Sequence, residues 1–129
     1  MTLPRLRSLW GRFNSLLAEP LPAPIMRLRL RFPHPTQLGL YEAGVVWLSP
    51  LAGDWWAFHE YAHHLYNRRD MEHSVLGARF LEAAGMGWWD SGARELFADC
   101  VAWLMTGRWR RGWPKSVKAA NVLRVLLRG

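Results

Sequence analysis

Residues 55–70, WWAFHEYAHHLYNRRD, place two histidines and a glutamate at a spacing that suits a metal site. His59 and His63 are four residues apart, so on a helix both imidazoles project from the same face. Zinc binds neutral imidazole nitrogen readily and prefers four ligands. Glu60 lies one residue round the helix, where it would contact a water at the ion rather than the ion itself. The His-Glu-x-x-His spacing therefore predicts two metal ligands and one general base.

A motif this short also arises by chance. The alternative interpretation of the segment is a solvent-facing helix whose histidine pair has only structural partners. A catalytic zinc needs a third protein ligand and leaves its fourth position to water. The rest of the chain must therefore supply that third ligand if the site exists.

The sequence ARELFADCVAW supplies a candidate for the third ligand. Glu95 and Asp99 are again four residues apart, on one face of a second helix. Glu95 would complete a site of two histidines and one carboxylate, and Asp99 would accept the N–H of a ligating imidazole. The two carboxylates could instead lie on a solvated helix face. The residues around them are largely apolar, however, and buried carboxylates need a cation or hydrogen-bond donors.

These two motifs together resemble those of the gluzincin metallopeptidases, which pair an HExxH helix with a downstream helix bearing ExxxD. The sequence is most similar to the minigluzincins and the ImmA/IrrE-like peptidases. In those proteins a strand leads into the HExxH helix, as GVVWLSP does here, and a Phe-Ala pair marks the second helix, as in ELFAD. The resemblance covers residues 44–106 and says little about residues 1–40 or the C-terminal tail.

The resemblance implies a role for each of five residues. By it, His59, His63 and Glu95 are zinc ligands, Glu60 is the general base, and Asp99 orients a histidine from outside the ligand set. The implied activity is that of a zinc-dependent metalloendopeptidase, which hydrolyses peptide bonds through a water activated by zinc and Glu60.

A second histidine competes with Glu95 for the position of third ligand. His73 begins the segment HSVLGARF, and in that respect the chain resembles the SprT-type zinc peptidases, although the spacing is shorter than theirs. We prefer Glu95 because Asp99 accompanies it, and His73 remains a candidate oxyanion donor. The compact metzincin pattern is excluded, because Tyr66 and Arg69 stand where it requires glycine and histidine.

The charge of the chain suggests a second class of function. The formal net charge is +7, and no acidic residue follows Asp99. The basic C-terminal tail, residues 108–129, could contact nucleic acid or an anionic surface, or it could be a solvated helix. The alternative to a peptidase is therefore a basic binding module on a zincin fold, with zinc structural or absent. A protein or peptide substrate would be held extended along an edge strand, either GVVWLS or PIMRLRLRF.

The location expected from the sequence is cytoplasmic. The single cysteine, Cys100, cannot form an internal disulfide, which fits a reducing compartment. No stretch is apolar enough to predict a transmembrane segment, and the N-terminus has no continuous apolar run of the kind found in secretory signals.

The first elements that must position the site follow from hydrophobic periodicity. Apolar residues recur at helical spacing over residues 3–18, and three prolines between 20 and 24 end that helix. PIMRLRLRF alternates apolar residues with arginine, which predicts a half-buried strand, and GVVWLS predicts a second one. We expect the N-terminal helix and the tail to act on partner choice, unless the apolar stripe of the helix is core.

Helices dominate the remainder of the chain. The HExxH helix opens at Ser49-Pro50 or Asp54, HSVLGARFLEAAG forms another, and the glutamate helix ends at Gly107. This order predicts one small α+β domain over residues 1–129. The resemblance to the gluzincins implies a zincin-like fold, in which a short sheet packs on the two motif helices.

Overall fold

A computed structural model describes residues 1–109 and 116–128, which form a small α+β domain, as predicted. In chain order the elements are α1 (Leu3–Leu16), β1 (Ile25–Leu28), β2 (Gly39–Glu42), β3 (Val45–Leu48), α2 (Asp54–Arg68), α3 (Val75–Ala84), α4 (Ser91–Thr106) and α5 (Val117–Val122). Single 3₁₀ turns cover Met71–His73 and Leu123–Leu126. No helix of the described residues is both long and apolar enough to cross a bilayer.

The three strands form a mixed sheet with β3 at its centre. β1 pairs with β3 in parallel, whereas β2 and β3 form an antiparallel hairpin. Ala43 and Gly44 make the hairpin turn, and both have positive φ angles, 51° and 81°. A two-residue turn of this kind matches the natural twist of paired strands. β2 therefore lies at one edge of the sheet with its outer side free.

The first strand is shorter than its alternating sequence predicts. β1 ends at Leu28, and Leu30 is 85% exposed rather than half-buried. Its partner β3 stops at Leu48, and the last backbone bond between the two runs from the Arg29 N–H to the Leu48 carbonyl. The strand predicted from the alternation over residues 24–32 is therefore too long, because a strand cannot extend beyond the strand that bonds it.

The N-terminal helix is part of the core, so our expectation that it serves partner choice is wrong. Its apolar stripe is almost completely buried: Leu6, Leu9, Trp10, Phe13 and Leu17. The hydroxyl of Tyr61 on α2 donates to the carbonyl of Leu6. Thr2 caps the helix by accepting from the Arg5 N–H. α1 thus covers the side of α2 that faces away from the histidine pair.

Deleting residues 1–22 is expected to abolish cooperative folding. Burying a large apolar side chain contributes about 1.5–3 kcal/mol, so the five buried residues of the stripe together rival the about 5–15 kcal/mol of a domain's net stability. Thermal unfolding followed by circular dichroism measures the effect, with Arg7→Ala on the exposed side of α1 as the control. A truncated chain that unfolds with a normal sharp transition would contradict this role.

The described part of the C-terminal tail is docked rather than free. Ala119, Ala120 and Leu123 are fully buried, and Leu127 forms an antiparallel bridge with Leu17 near the end of α1. The basic side chains of this segment nonetheless point outward: Arg108, Lys118, Arg124 and Arg128 are exposed. Residues 110–115, which hold three more basic residues of the predicted tail, lie outside the described residues.

Candidate metal centre

Two long helices, α2 and α4, pack along each other and carry the two motifs. α4 begins where the side chain of Asp90 accepts the Ala93 N–H at 2.8 Å, and it ends at Gly107, whose φ of 73° suits glycine. α2 begins after Gly53 with Asp54 in its first turn, where an acidic residue complements the helix dipole. The side chains that meet between the helices are those of the predicted site.

Three donor atoms converge at the spacing that a tetrahedral ion requires. His59 Nε2 lies 3.3 Å from His63 Nε2 and 2.9 Å from Glu95 Oε2. His63 Nε2 lies 3.3 Å from Glu95 Oε1. Ligand atoms about 2.0–2.1 Å from a tetrahedral zinc are about 3.3 Å apart. The two imidazole nitrogens and the two oxygens of Glu95 therefore lie near the spacing of zinc ligands, with the His59–Glu95 distance somewhat shorter than that between bound ligands.

Two overlapping groups of side chains in this cluster meet the distance requirements of a metal site. One is His59, Glu60 and His63, and the other is His59, Glu95 and Asp99, each with donor atoms within 4.8 Å of one another. Glu95 fits the third ligand position best, because its two oxygens lie 2.9 Å and 3.3 Å from the two imidazole nitrogens.

Asp99 contacts the opposite nitrogen of the first histidine. Its Oδ1 lies 2.9 Å from His59 Nδ1, although the N–H is not aligned on that oxygen. Asp99 is buried, and Trp55 stacks on the His59 ring with centroids 5.0 Å apart. A carboxylate behind a histidine fixes which ring nitrogen faces the ion and makes that nitrogen a better ligand. His59 is thus held from two sides.

The charges of the cluster shift the pKa values of its members strongly. Burial lowers the pKa of His59, but the contacts with Asp99 and Glu95 outweigh it and raise the pKa to about 10. Burial raises the pKa of Glu95, but the two imidazoles hold it far below its usual value. A metal ion entering this site would therefore displace a proton from His59.

Glu60 lies deep in the cluster and against the edge strand. Its side chain is almost fully buried, at 3% exposure. Burial raises the pKa of the Glu60 carboxyl, while the neighbouring imidazoles lower it less. A β-carbon added at Gly39 would lie 3.0 Å from both Glu60 Cγ and Oε2. The carboxylate therefore has a glycine of β2 as one of its walls.

An open cleft of about 820 Å³ runs past these side chains. His59, Glu60, His63 and Glu95 all line it, and β2 forms one of its walls. The remaining wall residues come from the loop before β2 and from the two motif helices, among them His34, Gln37, Trp56, Tyr66, Asn67 and Arg94. Nothing from residues 1–22 lines the cleft, so among the described residues the N-terminal segment does not plug it.

The edge strand turns the backbone groups of alternate residues away from its partner strand. Glu42 and Val45 flank the two-residue turn, and Leu38 accepts the Ser49 N–H, which sets the pairing of the hairpin. The backbone groups of Gly39 and Tyr41 consequently point away from β3. The side chain of Gln37 donates to the Gly39 carbonyl at 2.8 Å, which confirms that this carbonyl faces outward.

The structure does not bring His73 into the cluster. His73 lies in an exposed 3₁₀ turn, where its Nδ1 is 2.8 Å from Asp70 Oδ1, and it does not line the cleft. α2 runs on to Arg68, and the chain then reverses at Asp70, which has a φ of 47°. The geometry gives His73 no place as the third ligand or as an oxyanion donor.

His64, which follows His63 directly in the sequence, has a structural role. His64 is buried, and its Nε2 donates to the Pro22 carbonyl at 2.8 Å while Nδ1 accepts from the Tyr41 hydroxyl at 3.0 Å. Burial lowers the pKa of His64. His63 therefore faces the cleft, whereas His64 fastens the proline-rich connector and β2 to α2.

Sequence reasoning did not identify β2 or Gly39 as part of the site. β2 has only four residues, GLYE, and we expected strands in GVVWLS or PIMRLRLRF to bind a substrate. β3, which contains VVWL, is the central strand and has no free edge. The Ala43-Gly44 turn was the available signal, because a short glycine-containing turn between two extended segments indicates a hairpin.

Comparisons with known proteins provide no identification. Neither a protein-family model, nor a curated protein, nor a solved structure matched this chain.

Proposed function

We propose that the protein is a zinc-dependent metalloendopeptidase of the gluzincin type. The observation that carries the proposal is the arrangement around the cleft: three donors at the spacing of a tetrahedral ion, a buried carboxylate beside them, and a free strand edge along the same wall. His59, His63 and Glu95 would hold the zinc, and Asp99 would orient His59. The edge strand β2 forms part of the cleft wall, which suits an extended peptide chain.

Zinc and Glu60 would have different roles in peptide hydrolysis. When bound, zinc would act as a Lewis acid that makes the attacking water more acidic and polarises the scissile carbonyl. Glu60 would accept the proton of the water and later deliver it to the leaving amine. Its burial favours this role, because a raised pKa brings a carboxyl closer to the pH at which it exchanges protons.

The edge of β2 would hold the substrate extended. A peptide adding to this edge would bond the outward backbone groups of Gly39 and Tyr41. Gln37 would have to release the Gly39 carbonyl, since its side-chain amide occupies the position of a substrate N–H. Because Gly39 touches Glu60, pairing at this strand would place the scissile bond beside the general base.

Purified protein is expected to contain one zinc per chain. The measurement is elemental analysis after purification without chelators, repeated after dialysis against zinc. A protein that carries no zinc in either preparation would refute the proposed activity and its ligand set together.

Gly39→Ala is expected to lower peptide cleavage by at least about 10-fold, since displacing a catalytic group by about 1 Å can cost 100-fold. The new β-carbon would lie 3.0 Å from Glu60 Oε2 and 2.8 Å from Leu48 Cδ2, so the carboxylate must shift. Zinc affinity should stay near that of the wild type, because Gly39 contacts none of the three ligands.

The matched control for this substitution is Gly87→Ala. No atom lies within 4 Å of a β-carbon at Gly87, and its backbone conformation tolerates alanine. Initial rates on casein and zinc titrations are measured for both variants. Full activity of Gly39→Ala in a folded protein would mean that Glu60 does not depend on this wall.

The alternative function is a basic binding module that keeps this fold, with zinc structural or absent. It is supported by the exposed basic side chains of the described C-terminal segment, which would contact nucleic acid or an anionic surface. We propose a cytoplasmic location for either function, because a single cysteine cannot form an internal disulfide. That thiol, Cys100, is buried, and burial raises its pKa to about 12. Such a thiol is unreactive.

A further inference from the structure

One face of the sheet is not covered by a helix. The inner face carries Val46 and Leu48, which are fully buried beneath the helices. Side chains alternate across a strand, so their neighbours in sequence lie on the outer face. Arg27, Trp47 and Leu40 form one row across that outer face, because each is in register with the next. Ile25 on the same face is 52% exposed, which shows that the face is open.

Three arginines concentrate positive charge at this face. Arg27 and Arg29 project from β1 and the residue after its end, and Arg31 follows two residues later. All three are exposed, and no carboxylate of the described residues lies within ion-pair distance of any of them. Other arginines of the chain do find such partners. Arginine is common throughout the sequence, so the number of arginines here is ordinary. Their placement at every second residue is the distinctive feature.

Aromatic rings lie among these charges. Trp47 sits partly exposed on the central strand beside Arg27. The guanidinium of Arg29 lies 5.5 Å from the centroid of the Phe32 ring. A partly exposed indole offers a stacking surface to a base, and the adjacent guanidinium groups offer contacts to phosphate.

We infer that this basic sheet face, made of Arg27, Arg29, Arg31 and Trp47, binds single-stranded nucleic acid. A base stacks on Trp47, and the arginines contact phosphates of the same strand without reading sequence. Arg27 and the next arginine, Arg29, whose N–H still bonds β3, are about 6.8 Å apart by strand geometry, so they can meet separate phosphates. Arg31 follows after the bend at Leu30 and extends the basic segment beyond the strand. Duplex DNA would offer the arginines the same phosphates, but its paired bases are stacked on one another and leave no base face free for Trp47.

An anionic membrane is the other surface that a basic, aromatic face could contact. Membrane binding relies on apolar side chains that insert among the lipid headgroups. Trp47 lies within the sheet between Arg27 and Leu40, flanked by a guanidinium on one side, which suits a base and its phosphate. Ile25 on the same face is 52% exposed and could insert into a bilayer, so the test includes vesicles as the competing surface. This inference does not depend on the proposed peptidase activity, and its test has no catalytic readout.

The test uses the full chain and fluorescently labelled oligonucleotides of about ten nucleotides, oligo-dT and oligo-U, a length within the usual site sizes. Fluorescence polarisation is recorded between about 50 and 200 mM salt, where phosphate contacts have a large effect. Replacing all three arginines of the basic sheet face with alanine is expected to weaken binding at least 10-fold. The slope of log affinity against log salt should fall in magnitude by about two, since each lost phosphate contact on a single strand contributes about 0.7.

The matched control removes the same charge from other exposed positions through Arg7→Ala, Arg68→Ala and Arg79→Ala. This variant should bind within about 3-fold of the wild type, because charges beyond a Debye length are largely screened. Equal losses in the two triple variants would mean that only net charge matters, and the inference would be overturned.

Two further measurements test the other sites and surfaces that could explain binding. A variant with alanine at Lys118, Arg124 and Arg128 tests the C-terminal segment, and a larger loss there than at the sheet face would overturn the inference. Vesicles of phosphatidylserine and phosphatidylcholine test a lipid surface. Wild-type protein that binds these vesicles but neither oligonucleotide would also overturn it, as would no oligonucleotide binding at the lowest salt.

Discussion

Glu60→Gln is expected to reduce peptide cleavage by about 100- to 10,000-fold, the usual contribution of a general base, while zinc stays bound. Glutamine keeps the shape of the side chain but cannot accept a proton. The carboxylate belongs to the wall of the cleft and not to the best-fitting ligand set, so the donors of His59, His63 and Glu95 remain in place. Single-turnover rates on casein and zinc titration of the same preparations measure the two effects separately.

The matched control for this prediction is Glu42→Gln. Glu42 is an exposed carboxylate on β2 that also lines the cleft, so the substitution removes the same charge from the same wall. It should leave the rate within a few-fold of the wild type. Glu60→Gln protein that still cleaves at the wild-type rate would rule out Glu60 as the base and leave a peptidase with another proton acceptor. Wild-type protein that binds zinc but cleaves no peptide would instead favour the basic binding module.

The chemistry of the candidate site could be read from the sequence because it depends on spacing within single helices. His59 with His63, and Glu95 with Asp99, each share a helix face by the geometry of one turn. That local rule holds wherever the helix lies. Whether the two faces meet depends on how α2 packs against α4, which is a property of the whole core and is not encoded in either motif alone.

Sequence reasoning missed those parts of the fold that depend on contacts with other helices and strands of the chain. β1 was predicted too long because its alternation continues, while the strand that bonds it stops at Leu48. α1 was given a role in partner choice because it lies outside the span of the proposed site residues, 59–99, with a core role for its apolar stripe as the stated alternative. α1 packs on the face of α2 that carries Tyr61, and Tyr61 lies between His59 and His63 in sequence but on the opposite side of the helix. One helix therefore serves the core on one side and the cleft on the other.

Glu95→Ala is expected to weaken zinc binding by more than about 100-fold, because losing even an outer partner of a ligand typically costs 10- to 100-fold. Asp99→Asn should fall within that smaller range, since Asp99 contacts His59 Nδ1 from behind. His73→Ala should bind zinc as the wild type does, because His73 is exposed and paired only with Asp70. The order of the three variants thus separates a ligand, an orienting residue and a bystander.

Competition against a zinc-binding dye measures these affinities, and far-ultraviolet circular dichroism checks that each variant remains folded. Removing Glu95 takes away the negative charge that faces two imidazoles, so the site loses both a donor and the electrostatic attraction for a cation. Removing His73 changes nothing within reach of the cluster. Loss of zinc from His73→Ala with retention in Glu95→Ala would make the gluzincin ligand set wrong and favour the SprT-like one, in which the turn after α2 would have to fold back onto the cleft.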